Sequence, residues 1–184
     1  CIDVILKLQK IKPLRKKKIR RNKYLKLNLY NQSNLHKESD LFFDWYLKNC
    51  LKTSKIHTIK KIFRKELNQI YKKLYFKNDT FVHRDFHASN VMLNKKKYGL
   101  IDNQDAIIGN PLYDLASLID DVRIKLPTNL QKKLLKFYYL NSKLKKEKFN
   151  KLKNDFDILS VQRNFKILGV FVRLYKRDGK SNYL

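Results

Sequence analysis

The sequence predicts an α+β fold that is mainly helical and contains one small β-hairpin. Glycine and proline are scarce, with four and three residues among 184, so few tight turns and long helices are expected. Apolar residues recur at spacings of three and four over most of the chain, which is the helical period. Between residues 80 and 102 the apolar residues form short runs bounded by polar residues, a pattern typical of strands.

Five helices follow from the helical period. The predicted ranges are 35–50, 54–75, 113–122, 128–140 and 149–175. The second helix has the clearest apolar stripe, which runs from Ile56 to Leu74, and lysines fill its other face. The fourth helix has a start signal, because Thr128 and Gln131 are spaced as in a capping box.

The strands are predicted in the middle of the chain. Residues 80–83 form a short strand, and residues 91–94 and 98–102 form a hairpin whose turn contains Lys95, Lys96 and Lys97. The chain is thus divided into a helical lead-in over 1–79, a central segment over 80–126 and a helical C-terminal part over 127–184.

The charge of the chain is strongly positive. Lys and Arg total 43 against 16 Asp and Glu, a net charge of +27, which excludes an acidic, solvating protein. Sites that recognise phosphates or bases favour Arg, but here lysines outnumber arginines and occur in every segment. A solvated basic surface is therefore favoured over a nucleic-acid partner. A basic module that binds nucleic acid or an anionic membrane stays as the alternative, with 15–21 and 143–148 as its candidate faces.

Three further features of the sequence indicate the cellular compartment of the protein. No apolar run reaches the roughly 18 residues of a membrane-spanning helix, and the first residues lack the pattern of a secretion signal. Two cysteines, Cys1 and Cys50, are too few for a disulfide framework. These observations favour a cytoplasmic protein without a membrane partner.

Three polar residues in the central segment suggest a catalytic site. Asp85 and Asn90 lie five positions apart in a polar loop between two strands, and Asp102 ends the next strand. One amide and one carboxylate, Asn90 and Asp102, suit Mg²⁺, which takes hard oxygen ligands and keeps water and phosphate in its other positions. A separate carboxylate, Asp85, could orient a hydroxyl nucleophile. This set is the minimum for phosphoryl transfer.

The motifs around these residues resemble a known family. The stretches His83–Asn90, Ile101–Asp102 and Gly109–Ala116 are similar to those of the aminoglycoside phosphotransferase/choline kinase family, whose fold is protein-kinase-like. The resemblance implies ATP and Mg²⁺ as cofactors and a small-molecule hydroxyl as acceptor. It makes 80–126 the catalytic and metal-binding segment.

The resemblance also implies a role for individual residues. Asp85 is expected to be the catalytic aspartate that faces the acceptor hydroxyl, and Asn90 and Asp102 to hold Mg²⁺ between the ATP phosphates. His83 is expected to brace the catalytic loop, and Asp114 to tie its helix to that loop.

Other polar residues have less definite expectations. His87 either binds near the phosphates or makes a local hydrogen bond. Gln104 and Asp105 are candidate substrate contacts. The acidic and basic side chains over 120–123 fit a surface charge cluster better than the rim of the acceptor pocket. Arg173, Arg177 and Asp178 have no assigned role.

Finer matches narrow the acceptor. The stretches 38–47, 101–106, 113–118 and 162–184 are similar to bacterial kinases that phosphorylate the anomeric hydroxyl of N-acetylmuramate and N-acetylglucosamine. Asn103 departs from these relatives, in which a phenylalanine is common. An aminoglycoside, choline or another amino-alcohol therefore stays open as the acceptor.

The glycine-rich loop expected of such kinases is not found upstream of the catalytic loop. Gly99 is the first glycine of the chain, and no strand-rich segment is predicted before Leu35. We therefore expect the chain to represent mostly the C-terminal lobe of a longer kinase, without the N-terminal lobe, and to be inactive or weakly active by itself.

Overall fold

A computed structural model describes residues 1–21, 23–51, 54–95 and 97–183. Lys96 of the predicted hairpin turn and Leu184 of the C-terminal motif lie outside the described residues. The helices are α1 (Ile2–Leu8), α2 (Gln32–Leu41), α3 (Lys48–Cys50), α4 (Ile56–Tyr71), α5 (Tyr113–Ile119), α6 (Thr128–Asn141) and α7 (Phe149–Asp178), with a π-helical segment (Phe42–Leu47) between α2 and α3. Short 3₁₀ turns cover Ala88–Asn90, Lys143–Lys146 and Ser181–Tyr183.

The described strands form three antiparallel pairs. They are β1 (Lys16–Arg20), β2 (Lys23–Lys26), β3 (Thr80–Val82), β4 (Val91–Asn94), β5 (Lys97–Leu100) and β6 (Ile107–Gly109). β1 pairs with β2, β3 with β6, and β4 with β5. The β4–β5 hairpin is the one that the sequence predicts, and the α+β class holds.

The β1–β2 hairpin corrects the expectation of a helical lead-in over 1–79. The side chains of β2 are exposed throughout, and so are the described side chains of β1. The described residues of the hairpin therefore lack the alternation of buried and exposed positions from which a strand is recognised. β6 also lacks a predicted counterpart. Its three residues are all buried, and a run this short carries no period.

Helix ends differ from the predicted ones by a few residues. The predicted helix over 35–50 begins at Gln32, where the Asn31 side chain accepts a hydrogen bond from the Asn34 amide at 3.1 Å. Thr128 does not form a capping box, because Pro127 occupies the N-cap position and Thr128 is the first helical residue. α7 ends at Asp178, and the next residue, Gly179, has a φ of 66°, the left-handed conformation that favours glycine.

The core lies where α7 packs against α2, the π-helical segment and α5. Its largest fully buried side chains include Tyr30, Phe43, Phe86, Tyr113 and Leu152. Burying one such side chain stabilises the fold by about 1.5–3 kcal/mol. Within this core α7 and α2 carry charged residues that face each other below the loop between β3 and β4.

The surface carries the basic charge. In the two lysine-rich runs, 15–21 and 143–148, the described lysines and arginines are exposed. Over the described parts of the chain, no helix combines the length and apolar character needed to cross a bilayer.

Candidate active site

The loop over His83–Asn90, called the catalytic loop below, is held from behind by Asp114. The Asp114 carboxylate, at the start of α5, accepts hydrogen bonds from the backbone amides of His83 at 2.8 Å and Arg84 at 2.9 Å. Arg84 has a φ of 78°, a conformation that needs such support in a non-glycine residue. Burial raises the pKa of Asp114 to about 6, although both amides act in the opposite direction.

Asp102 is brought to the same loop through its neighbour Ile101. The Ile101 amide donates to the Asn90 carbonyl at 3.2 Å, and the Ile101 carbonyl lies 3.1 Å from Nε2 of the buried His83. Asp102 itself lies beyond β5, not at the end of the strand as predicted, and has a φ of 66°. This sharp change of direction follows directly on the two bonds of Ile101 and places Asp102 beside the catalytic loop.

The side chains of Asn90 and Asp102 fit a magnesium site. Asn90 donates from Nδ2 to the Asp85 carbonyl at 2.9 Å, which leaves its amide oxygen as the group that can bind a cation. Asp102 offers a carboxylate, one oxygen of which accepts a hydrogen bond from Gln104. Two hard oxygen ligands suffice for Mg²⁺, which completes its octahedron with water and phosphate.

The described part of the chain places no three or more His, Cys, Asp and Glu side chains where they could bind a metal ion together. A cage made only of protein ligands, as in a structural zinc site, therefore does not occur among these residues.

His87 lies inside the catalytic loop. Its Nε2 is 3.4 Å from Nδ2 of Asn90, and its Nδ1 is buried without a hydrogen-bond partner among the described residues. Burial lowers the pKa of His87, and the positive charge of Arg123 lowers it further. The structure thus shows a local contact of His87 with Asn90, and a role of His87 near the phosphates stays a prediction.

The Asp85 carboxylate is partly open to solvent and has a cation beside it. The side chain is 33% exposed, and Lys166 Nζ from α7 lies 3.6 Å from Asp85 Oδ1. Lys166 lies equally close, at 3.6 Å, to Oε1 of Glu38 in α2. The lysine therefore connects the catalytic loop to a buried carboxylate below it.

Glu38 is the centre of a buried hydrogen-bond network. Its carboxylate accepts from Arg84 Nη2 at 2.6 Å, from the Tyr113 hydroxyl at 3.1 Å and from Gln162 Nε2 at 3.1 Å, and also from the Tyr30 hydroxyl. Burial acts to raise the pKa of Glu38, but the charges of Lys166 and Arg84, with the hydrogen bonds from Tyr30 and Arg84, outweigh it and lower the pKa to about 2. Glu38 is thus an anion at neutral pH, below the catalytic loop.

Sequence reasoning missed the roles of Glu38 and Lys166. Both occur in stretches that carry the family resemblance, but neither was linked to Asp85. A usable signal is present for Glu38, because Leu35 and Leu41 lie three positions before and after it. A charged residue on the apolar face of a helix requires a buried partner.

Gln104 and Asp105, the candidate substrate contacts, interact with neighbouring side chains of the protein. Gln104 donates to Asp102, and Asp105 is 59% exposed with one carboxylate oxygen 4.0 Å from Arg84 Nη1. Both residues lie on the Asp102 side of the catalytic loop.

The charged side chains over 120–123 join the end of α5 to α7. Asp120 accepts a hydrogen bond from Asn164 at 3.0 Å, and Asp121 pairs with Arg123 at 3.0 Å. Asp121 is buried, so the cluster is not confined to the surface as expected. Near the C-terminal end of α7, Arg177 and Asp178 form an exposed pair with each other.

A groove of about 1110 Å³ lies apart from these residues. It is lined by His36 of α2 and by side chains of α4 and of the segment between Asp44 and Leu51, with lysine and arginine in five of the eleven lining positions. Because no residue of the catalytic loop borders it, the groove does not contribute to the chemistry of Asp85.

Comparison with known proteins fits this geometry. The sequence profile of the phosphotransferase enzyme family, APH, matches residues 1–146, which include the whole catalytic loop and Asp114. The chain belongs to this phosphotransferase family. Membership confirms the family predicted from the sequence motifs and implies a protein-kinase-like fold for the chain.

Several curated relatives carry one name. The chain is 30% identical over 148 residues to the N-acetylmuramate/N-acetylglucosamine kinase of Neisseria meningitidis serogroup B, and equally to the kinase of that name from Pseudomonas aeruginosa. Each match covers 78% of this chain and 44% of the relative. A third, from Caulobacter vibrioides, is 32% identical over 108 residues, which cover 56% of this chain and 29% of the relative. The chain spans less than half the length of these relatives.

Proposed function

We propose that this chain forms the catalytic part of a kinase that transfers the γ-phosphoryl group of ATP to a hydroxyl of a small molecule. The observation that carries the proposal is the convergence of Asp85, Asn90 and Asp102 on one braced loop. Asn90 donates a hydrogen bond to the Asp85 carbonyl, and the amide of Ile101, the residue before Asp102, donates one to the Asn90 carbonyl. A carboxylate to orient the acceptor and two oxygens for a cation are thus held by a common set of hydrogen bonds.

Asp85 is assigned the role of orienting the acceptor and taking its proton. Its carboxylate is exposed enough to accept a hydrogen bond from a hydroxyl, and its backbone carbonyl is fixed by Asn90. As the acceptor oxygen bonds to phosphorus and the bond to the ADP oxygen breaks, the hydroxyl proton passes to Asp85. Bound Mg²⁺ and ATP supply the phosphoryl group and the neutralisation of its charge, with Asn90 and Asp102 as the residues that hold the cation.

The acceptor we propose is the anomeric hydroxyl of an amino sugar, as in the recycling of cell-wall sugars. Support comes from the names of the relatives, which identify N-acetylmuramate and N-acetylglucosamine as the substrates of those proteins. An aminoglycoside, choline or another amino-alcohol is the alternative acceptor, and the family as a whole is compatible with it.

The deciding experiment measures phosphoryl transfer by the full-length protein with and without the Asp85 carboxylate. We expect ATP consumption that depends on N-acetylmuramate or N-acetylglucosamine, with the phosphate found on the anomeric oxygen by ³¹P NMR. Asp85→Asn should lower the rate by about 10²–10⁴-fold. The exposed Asp79→Asn, next to β3, is the matched control and should keep the wild-type rate. An unchanged rate in Asp85→Asn excludes the assignment.

An acceptor panel separates the substrate classes. The same protein is assayed with the two amino sugars, an aminoglycoside and choline. Transfer to the aminoglycoside or to choline, without transfer to either sugar, retains the kinase and replaces the acceptor.

The proposal that this chain represents mostly the C-terminal lobe has its own test. The 184-residue chain alone should bind ATP weakly and turn over little, because the glycine-rich cover of the phosphates is not encoded before its catalytic loop. Sugar-dependent ATP consumption by the 184-residue chain at the rate of the full-length protein contradicts it.

A further inference from the structure

We propose that Lys166 is a positioning residue for phosphoryl transfer, whose ammonium group fixes the orientation of the Asp85 carboxylate. The inference rests on the proposed kinase function. Lys166 Nζ lies 3.6 Å from Asp85 Oδ1 and 3.6 Å from Glu38 Oε1, and the lysine side chain is only 14% exposed. A lysine ammonium is rarely withdrawn from water in this way unless carboxylates surround it.

The charges around Lys166 form a balanced set. Arg84 is already bonded to Glu38 through Nε at 3.0 Å and Nη2 at 2.6 Å, so these two charges neutralise each other. Apart from the exposed Asp105, one carboxylate oxygen of which lies 4.0 Å from Arg84 Nη1, Lys166 and Asp85 are the remaining cation and anion. Because a buried charge is stable only beside an opposite charge, the ammonium of Lys166 is matched by the carboxylate of Asp85.

Asp85 is thereby held at two points. Asn90 holds its backbone carbonyl at 2.9 Å, and Lys166 lies beside Oδ1 of its side chain. With Oδ1 turned to the lysine, Oδ2 is the oxygen left for the acceptor hydroxyl. A reacting group held in one orientation before the reaction lowers the barrier, because less motion must be frozen in the transition state.

Glu38, the second carboxylate beside Lys166, is itself held by hydrogen bonds. Lys166 belongs to α7, and on the same helix Gln162 also donates to Glu38, at 3.1 Å. The anchor of Lys166 is therefore a carboxylate whose own position is fixed by hydrogen bonds from several elements. In the reaction Lys166 neither gives nor takes a proton and forms no bond to phosphorus.

The test uses substitutions of Lys166 in the full-length protein. Lys166→Met keeps most of the length of the unbranched side chain and removes the charge. We expect its kcat to fall by at least about tenfold, while the KM values for ATP and acceptor stay within about threefold of wild type. Lys166→Arg keeps a cation and should recover part of the loss.

Lys153→Met is the matched control. Lys153 is on the same helix and also pairs with an aspartate, Asp157, but both side chains are more than half exposed. Its removal should leave kcat and both KM values unchanged.

A structural role for Lys166 predicts a different result. If the lysine only stabilises the fold, the rate loss in Lys166→Met follows the fraction unfolded, and kcat per folded molecule is that of wild type. Folded fractions are therefore measured by circular dichroism at the assay temperature. If Lys166→Met is largely unfolded there, Lys166→Gln is compared with Lys166→Arg at a lower temperature, where both are folded.

Three outcomes overturn the inference: a kcat within twofold of wild type in the folded neutral variant, a loss confined to KM, or a loss in Lys166→Arg as large as in Lys166→Met. Failure of the kinase proposal is distinct, because the wild-type protein then transfers phosphate to no acceptor.

Discussion

Gly169 of α7 lies directly against the backbone of Leu41 at the end of α2. A Cβ atom added to Gly169 would overlap the carbonyl group of Leu41 and lie 2.6 Å from the Phe42 nitrogen, closer than side-chain carbons approach backbone. Gly169 follows Lys166 by three residues, and Leu41 follows Glu38 by three, so the close contact and the Lys166–Glu38 pair are one helical turn apart. Because Gly169 has no side chain, α7 and α2 can approach closely enough to form the Lys166–Glu38 pair.

Gly169→Ala is therefore expected to destabilise the protein. The added methyl group forces α7 away from α2, and overpacking of this kind costs about 1–3 kcal/mol or more. Gly99→Ala is the matched control, since nothing lies within 4 Å of a Cβ atom at Gly99, and its unfolding free energy should change by less than about 0.5 kcal/mol. Urea unfolding of the three proteins provides the measurement. Equal stability of Gly169→Ala and wild type would show that the helices can separate freely.

Asp114→Ala should destabilise the catalytic loop. The substitution leaves the amides of His83 and Arg84 without their acceptor, and the loss of these two hydrogen bonds, one buried and one partly buried, is worth about 2–4 kcal/mol together. Asp157→Ala, which removes an exposed carboxylate paired with Lys153, should cost less than about 1 kcal/mol. Unfolding free energies from urea titration at pH 7 test the difference. Similar values for both variants would mean that the loop amides find another acceptor.

The part of the site that the sequence predicts is the part that local spacing defines. Asp85, Asn90 and Asp102 lie within one stretch of strands and turns, so their proximity follows from the order of the elements. Glu38 and Lys166 belong to helices far apart in the chain, and only tertiary packing of α2 against α7 brings them to Asp85. A helical period shows which face is buried, but it does not show which two faces meet.

The fold was predictable to a similar extent. Long helices and the β4–β5 hairpin follow from apolar periodicity, which reports the burial of one face. β1 and β2 escape prediction because their described side chains do not alternate between buried and exposed environments, and β6 because three buried residues have no measurable period. Asp102 was placed in a strand because Leu100 and Ile101 continue the apolar run, whereas its positive φ is not encoded by hydropathy.

Glu38 should make stability depend on pH in the acid range. Its pKa is about 2 in the folded protein and about 4.5 when unfolded, so its contribution is complete above pH 4.5 and is lost as the pH falls towards 2. The size of the lost contribution is about 3 kcal/mol. Urea unfolding at pH 5, 4 and 3 should show a steeper loss in wild type than in Glu38→Gln.

Glu66→Gln serves as the control for this pH dependence, because Glu66 is exposed on α4. It should follow the wild-type curve. If Glu38→Gln also follows that curve, the Glu38 carboxylate is not held as an anion by Arg84 and Lys166.

Substitutions of Asp102 should affect activity much more than stability. Its φ of 66° is left-handed, a conformation that glycine adopts without steric cost and that asparagine tolerates better than most residues. Asp102→Gly is therefore expected to unfold with a free energy within about 1 kcal/mol of wild type or above it, and to lose phosphoryl transfer because the proposed magnesium ligand is gone. Asp102→Asn keeps an oxygen without the charge, so it should need at least about tenfold more Mg²⁺ for half-maximal rate.

Lys95→Gly is the control for the backbone effect. Lys95 has a φ of 55° in the β4–β5 turn, so glycine relieves the same kind of strain there without touching the catalytic loop. It should match Asp102→Gly in stability and match wild type in rate and in Mg²⁺ requirement. The rate and the Mg²⁺ requirement of each variant are measured as ATP consumption during a Mg²⁺ titration of the full-length protein. A wild-type Mg²⁺ curve for Asp102→Asn, or wild-type turnover in Asp102→Gly, would assign the cation to other ligands and leave Asp102 only its part in the shape of the loop.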